Sequence, residues 1–188
     1  KISQSEAEAA TDLDLSGNSI SDLSGLEYFT ALENLNLEGN DLSGSDLSLI
    51  SDFNNLTDLN LGSNNLTAED LDSITFTDLG NLTQLDLGSN NLDASEDPLS
   101  FLSGLTMNNL TGLTLDNNTL TGNDLSSLTD LSSLEDLSLI DNNISDISNL
   151  SGLTTLENIG LNNNSVSDLT PLENLTALTE LQLAANGV

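Results

Sequence analysis

One eleven-residue pattern of apolar and polar positions recurs eight times along this chain. It reads L-x-x-L-x-L-x-x-N-x-L, first at Ala10–Ile20 and last at Leu178–Val188. Each copy holds an alternating apolar pair: Leu13/Leu15, Leu35/Leu37, Leu59/Leu61, Leu85/Leu87, Leu113/Leu115, Leu137/Leu139, Ile159/Leu161 and Leu181/Leu183. Alternation at period two predicts a short strand with one buried face. So short a strand cannot stand alone. Copies stacked side by side form a parallel sheet, in which each repeat covers its neighbour's apolar edge. A fixed period of about 20–30 residues is the mark of such a solenoid rather than of a closed globular core.

The polar position of the pattern is as regular as the apolar ones. It is Asn18, Asn40, Asn64, Asn90, Asn118, Asn142, Asn164 and Asn186, at gaps of 22, 24, 26, 28, 24, 22 and 22 residues. The chain must turn sharply after each strand, which points backbone groups inward. A buried carboxamide both donates and accepts, so it can bond the turns of adjacent repeats. The eight Asn are predicted to form a structural ladder, which leaves no need for a metal or catalytic role.

The pattern resembles the leucine-rich repeat over residues 10–188. The copies Asn18–Leu26, Asn142–Leu150 and Asn164–Leu172, with their Ser-Asp-Leu/Ile-Ser/Thr runs, look like the bacterial internalin-type subclass. The resemblance implies an α/β solenoid: a horseshoe or arc with a concave parallel sheet of about eight short strands and a convex side of 3₁₀ turns. It also implies protein binding through the concave face. The middle repeats are longer. Asp41–Asn55, Thr67–Asn81 and Asp93–Asn109 carry helix-like spacing, as in Leu71, Ile74, Leu79 and in Leu99, Leu102, Leu105. Ser95-Glu-Asp-Pro98 reads as a helix start with Pro in the first turn. Short α-helices are therefore expected in place of 3₁₀ turns there. Residues 1–9 read as a partial N-terminal cap or linker, and 10–188 as a single domain of eight repeats. The last copy stops at Val188 without a return or cap, which predicts a longer parent chain, adjoining domains or self-assembly at that end.

Charge changes the picture most. The net charge is −30 with one basic residue, Lys1, and there is no Cys, His or Trp. Nucleic acid and anionic membrane would repel such a surface, and no apolar run is long enough to span a bilayer. The charge favours cations, a basic protein or a high-salt setting. It reads as an extracellular or cell-surface protein of a marine or halophilic source, with a cytoplasmic protein of a salt-accumulating organism as the competing explanation. Nine N-x-Ser/Thr sequons, at Asn55, Asn65, Asn81, Asn109, Asn117, Asn143, Asn149, Asn163 and Asn174, could accept glycans in a eukaryotic secreted protein. The plainer reading is that the repeat itself writes Asn-Leu-Thr between strands.

Side chains flanking the strand leucines point out of the sheet. They place Asp12, Asp14, Glu33, Asn34, Asn36, Glu38, Asp58, Asn60, Asp86, Asp116, Asp136, Asp141, Asn158 and Glu180 on the concave binding face. Glu135 and Glu157 complete its acids. Neutral neighbours separate the acids along each column, which limits repulsion across strands. No Trp, Tyr, Phe or Arg lies in these columns, although protein-binding hot spots favour them. The aromatics Tyr28, Phe29, Phe53, Phe76 and Phe101 fall between strands, where most should plug the interior, with Tyr28 or Phe29 exposed.

Calcium is the sharpest chemical candidate, because Ca²⁺ takes six to eight hard oxygens. Asp116, Asp136 and Asp141 lie in adjacent repeats and are the leading set; Glu69-Asp70-x-Asp72 and Glu96-Asp97 are others. None matches a known calcium loop, and the alternative is diffuse cation binding by a solvated acidic surface. No cofactor is required. Carboxylates on an open, wet face without a cleft or His do not make an active site, so the chain reads as non-enzymatic. Two readings follow: a recognition or adhesion module for a protein, a basic one by charge, or for a glycan; and a structural subunit of a cation-bridged surface layer, sheath or filament.

Overall fold

The computed structural model describes residues 3–92, 97–103 and 109–188. It contains one parallel sheet of eight three-residue strands in chain order. They are β1 (Asp12–Asp14), β2 (Asn34–Asn36), β3 (Asp58–Asn60), β4 (Gln84–Asp86), β5 (Gly112–Thr114), β6 (Asp136–Ser138), β7 (Asn158–Gly160) and β8 (Glu180–Gln182). Register aligns the central apolar residue of every strand, from Leu13 through Leu35, Leu59, Leu85, Leu113, Leu137 and Ile159 to Leu181. Those of β2 to β7 are buried; Leu13 and Leu181 are partly exposed, because an end strand has one neighbour only. The core is one continuous leucine-lined slab behind the sheet, as repeat-on-repeat burial requires.

The turn after each strand has one conformation throughout. Gly17, Gly39, Ser63, Ser89, Asn117, Asp141, Asn163 and Ala185 all have φ between 52° and 67°. Six of these carry a side chain in a region that L-residues disfavour. The ladder that follows holds them there. Asn40 Oδ1 accepts from the N–H groups of Asn18 and Ile20 at 3.0 and 2.9 Å. Its Nδ2 donates to the carbonyls of Leu15 and Leu37 at 3.0 and 2.8 Å. Asn64, Asn90, Asn118, Asn142, Asn164 and Asn186 repeat this pattern, each toward the preceding repeat. Asn18 is exposed and bonds only carbonyls of its own turn. Each buried polar group left unpaired would cost about 1–3 kcal/mol, and among the described residues no buried side-chain N or O lacks a partner.

A second ladder explains several sequons. Asn81 and Asn109 donate to carbonyls of the preceding repeat, Asn54 and Gly80, at 2.8 and 2.7 Å. The hydroxyls of Thr57, Thr83 and Thr111 bond Glu33, Thr57 and Thr83 carbonyls in turn. The Asn-Leu-Thr triplet is thus a tie between repeats, with Leu56, Leu82 and Leu110 buried between the two bonds.

The convex side departs from expectation in the middle repeats. Besides α1 (Gln4–Ala9), which buries Ala7 and lies against the Leu26–Tyr28 turn, the described residues hold one short α-helix, α2 (Ala68–Leu71). The other segments are 3₁₀ turns: Ser48–Asp52 in the second repeat, Phe76–Asp78 after α2, and Ser100–Leu102 in the fourth. The longest, Gly122–Leu128, falls in the fifth repeat, where a 3₁₀ turn was expected but not one of seven residues. Of the proposed start at Ser95–Pro98, Ser95 and Glu96 lie outside the described residues, as does Leu105. The physical reason is spacing. Adjacent strands sit about 4.8 Å apart, whereas packed α-helices need about 8–10 Å. Slimmer 3₁₀ turns bury the same leucines with less divergence between repeats. Leu71, Ile74, Leu79, Leu99 and Leu102 are indeed all buried.

The Ser-Asp-Leu/Ile-Ser/Thr runs start these turns. Asp22, Asp46, Asp146 and Asp168 each accept the N–H two residues on, at 2.8–2.9 Å. The Ser24, Ser48 and Thr170 hydroxyls, then their N–H groups, hold Asp22, Asp46 and Asp168 below the usual carboxylate range.

Candidate functional site

The parallel register turns the sequence pattern into three columns of side chains on the open sheet face. Asp12, Asn34, Asp58, Gln84, Gly112, Asp136, Asn158 and Glu180 form the first. Asp14, Asn36, Asn60, Asp86, Thr114, Ser138, Gly160 and Gln182 form the second. Glu38 and Asp116 follow the inner leucines, in a third column. Glu33 stands just before β2 and is exposed; its carbonyl, not its carboxylate, joins the sheet through Thr57 and Asp58 N–H groups. Two grooves run along this face. One, of about 500 Å³, spans β1 to β4 and reaches Thr114. A smaller one, of about 200 Å³, spans β4 to β8.

The acids of the first groove are held in place. Asp12 accepts from Thr11 Oγ1 at 2.7 Å and Asn34 Nδ2 at 2.6 Å, and in that order these bonds depress its pKa. Asp58 accepts from Thr57 Oγ1 at 2.7 Å. In the second column Asp14, Asn36, Asn60 and Asp86 perform one shared task. Each Oδ1 accepts the N–H two residues on, from Ser16, Glu38, Gly62 and Gly88, at 2.8–3.0 Å. This closes the strand end with an Asx turn. At Asp14 the Ser16 N–H and then its hydroxyl lower the pKa. Asp86 is the exception. It is half-buried, and burial pushes its carboxyl above the usual range; the Gly88 N–H opposes this, while Glu38 and Asp116 add repulsion.

The leading calcium set is not brought together. Asp116 Oδ1 is engaged by the Ser138 hydroxyl at 2.6 Å and the Ile140 N–H at 2.7 Å. Asp136 is bonded by Asn158 Nδ2. Asp141 occupies the left-handed turn at the rim, bonded by Asn163 Nδ2 at 2.7 Å. Each carboxylate is held by its own partners, and adjacency in the repeat does not gather the three into one group. Among the described residues no three acids form a metal-holding group. Asp70 is used structurally: it caps α2 through Thr67 and accepts from the Gly44 N–H at 2.8 Å. Glu96 lies outside the described residues.

Charge does not mark the second groove. It is lined by Gly112, Thr114, Ser138, Gly160 and Ile140, between Asp136 and Glu180. The column after the inner leucine reads Ser16, Glu38, Gly62, Gly88, Asp116, Ile140, Asn162 and Ala184. Ile140 is its one large apolar member, and that contrast was available in the sequence. Phe53, Phe76 and Phe101 are buried, with the rings of Phe76 and Phe101 5.4 Å apart; Phe29 is partly buried and Tyr28 is 48% exposed.

The repeated strand, Asn turn and 3₁₀ return define a leucine-rich-repeat solenoid. Comparison with known proteins agrees: the family description "Leucine rich repeat" matches residues 30–92, and a second match of the same name covers residues 81–105. A search of curated proteins gives no match. Among solved structures, internalin C2 of Listeria monocytogenes is 27% identical with a TM-score of 0.80, over 98% of this chain and 76% of that one. An internalin F of the same species is 30% identical, TM-score 0.55, over 98% of this chain and 64% of that one. A leucine-rich-repeat protein of Leptospira interrogans is 25% identical, TM-score 0.70, over 97% of this chain and 51% of that one. The fold is that of a leucine-rich-repeat solenoid, the two family matches together cover residues 30–105, and the likeness is to internalins and other bacterial proteins of that fold. Such folds are in general binding modules rather than enzymes. No described helix is long and apolar enough to cross a membrane.

Proposed function

We propose that this protein is a non-enzymatic recognition module, working outside the cell or on its surface, that holds a protein partner against its concave sheet. One observation carries the reading: among the described residues the open face of the eight-stranded sheet is uncovered and grooved, with its polar side chains fixed by bonds within their own turns or to neighbouring repeats. A surface ordered before contact loses little entropy on binding. Likeness to secreted-type bacterial repeat proteins supports the location.

Because the chain has no Cys, a single engineered thiol can be tagged cleanly. Gln84→Cys sits in the middle of the sheet face, and Thr77→Cys on the convex turn. Each is coupled to a bulky polyethylene glycol and tested for retention on immobilised extracellular proteins. Retention should fall at Gln84 and persist at Thr77. Equal retention by both tagged proteins would refute concave binding.

A further inference from the structure

We infer that the β1–β4 half of the sheet face docks an extended, cationic segment of a protein partner, with lysine or arginine side chains set over Asp12, Asp14, Asp58 and Asp86. The inference rests on the reading above and assigns the partner's chemistry and its position.

Asp86 is an acid that the fold does not need as an acid. The Asx-turn bond of the second column is made equally by Asn36 and Asn60 at 3.0 and 2.9 Å, and by Asp14 and Asp86 at 3.0 and 2.8 Å. The neutral amide has the same shape and closes the same turn. Charge at position 86 is therefore surplus to folding, whereas at position 14 the carboxylate also accepts the Ser16 hydroxyl at 2.7 Å. At Asp86 it is also unfavourable, being half-buried and facing Glu38 and Asp116. A cation from a partner would relieve that arrangement; nothing within the described face does. Asp86 differs in this from Asp14, Asp22, Asp46 and Asp168, whose carboxylates accept a hydroxyl and an N–H together.

The shape of the groove suits an elongated guest. Asp12 and Asp58 lie two strands apart, about 10 Å, a step covered by three residues of extended chain. Gly62 and Gly88 keep the approach to Asp86 clear. A Cβ at Gly62 would come within 3.6 Å of Asp86 Oδ1, and one at Gly88 within 3.2 Å. A concave, low-dielectric wall lined by one sign of charge also concentrates its field inward, which the same charges on a convex side do not. The β5–β8 half lacks these features. Its two strand columns carry only the acids Asp136 and Glu180, against Asp12, Asp14, Asp58 and Asp86 in β1–β4, and Gly112, Thr114, Ser138 and Gly160 are neutral.

The probe is a fluorescent Lys-Gly-Gly-Lys-Gly-Gly-Lys peptide, titrated by anisotropy near physiological salt. Two variants remove the same four charges from different sides. One is Asp12→Asn, Asp14→Asn, Asp58→Asn, Asp86→Asn. The other is Asp52→Asn, Asp78→Asn, Asp130→Asn, Glu173→Gln, all exposed and outside the sheet face. The first should weaken binding at least about tenfold and the second less than about threefold. Equal weakening would mean diffuse attraction by net charge and would overturn the docking site, while leaving concave binding of another partner intact. Loss of retention at Gln84, tested above, concerns the broader reading alone. If the quadruple variant does not fold, amide shifts of the unaltered protein decide: the peptide must move Gly62 and Gly88. Shifts confined to Gly112 and Gly160, or to the convex turns, would overturn the inference.

Discussion

At the scale of single residues, Asp86 separates what folding needs from what it tolerates. Its Oδ1 closes the β4 turn, a task an amide performs equally well at Asn60. Its folded-state pKa lies above its unfolded one, so folding favours its protonated form. Its contribution to stability is therefore fully present below the unfolded value near 3.8 and is lost as pH rises through the folded value. Asp12, Asp14, Asp22, Asp46 and Asp168 behave in the opposite sense. Their bonds stabilise the fold above the unfolded value, and that support disappears as pH falls through the depressed values. Asp86→Asn should accordingly raise stability at pH 7 by about 0.5 kcal/mol, a magnitude discounted for solvent exposure. Urea titrations at several pH values would measure it. The gain should shrink to nothing in acid, and a gain that persists there would contradict the electrostatic account.

At the scale of elements, the turn is the strained part and the strand the easy one. Eight left-handed residues, two of them glycine, are held by the asparagine ladder. Ser63, exposed at φ 56°, makes the cleanest test. Ser63→Gly should stabilise by about 0.5 kcal/mol, the relief of left-handed strain less the added chain entropy of glycine. Ser63→Val should destabilise by about 1 kcal/mol or more. Thermal melts of both would show opposite signs. The strands themselves were legible from the alternating leucines alone, with the central residue of all eight placed correctly in register. The returns were not. Leu71, Ile74 and Leu79 fit a helix and a 3₁₀ turn alike, and only stacking at strand spacing chooses between them. The left-handed column was hidden because Ser, Asn, Asp and Ala share no composition that announces a turn.

At the scale of the whole molecule, a net charge of −30 and one basic residue set the terms. Self-repulsion opposes the compact state, and salt screens it. The melting temperature should rise by about 5 °C or more between about 10 mM and 0.5 M NaCl. Calcium and magnesium should raise it equally at matched ionic strength. A calcium-specific excess would require a chelating set, which the described acids do not form. The candidate face was legible as columns, since register follows directly from the repeat. The division of that face into an acidic groove and a glycine-floored one was not. Charge marks Asp12 or Asp58 in a sequence, whereas Gly112 and Gly160 become informative only once their neighbours stand beside them.

The asparagine ladder gives the stack a direction. Every rung faces backward: Asn40 completes the turn of the repeat before it, and Asn186 does the same for Val166. A break between two repeats is therefore lopsided. The N-terminal piece is left with a turn whose N–H groups have lost their acceptor. The C-terminal piece keeps an amide still bonded to its own turn's carbonyl, though its Oδ1 has lost both donors and its Nδ2 one carbonyl. Stretched from its two ends, such a molecule should peel like a ratchet released one tooth at a time, each lost repeat undoing the one upstream of it. The side chain that makes the spine continuous also decides the order in which it comes apart.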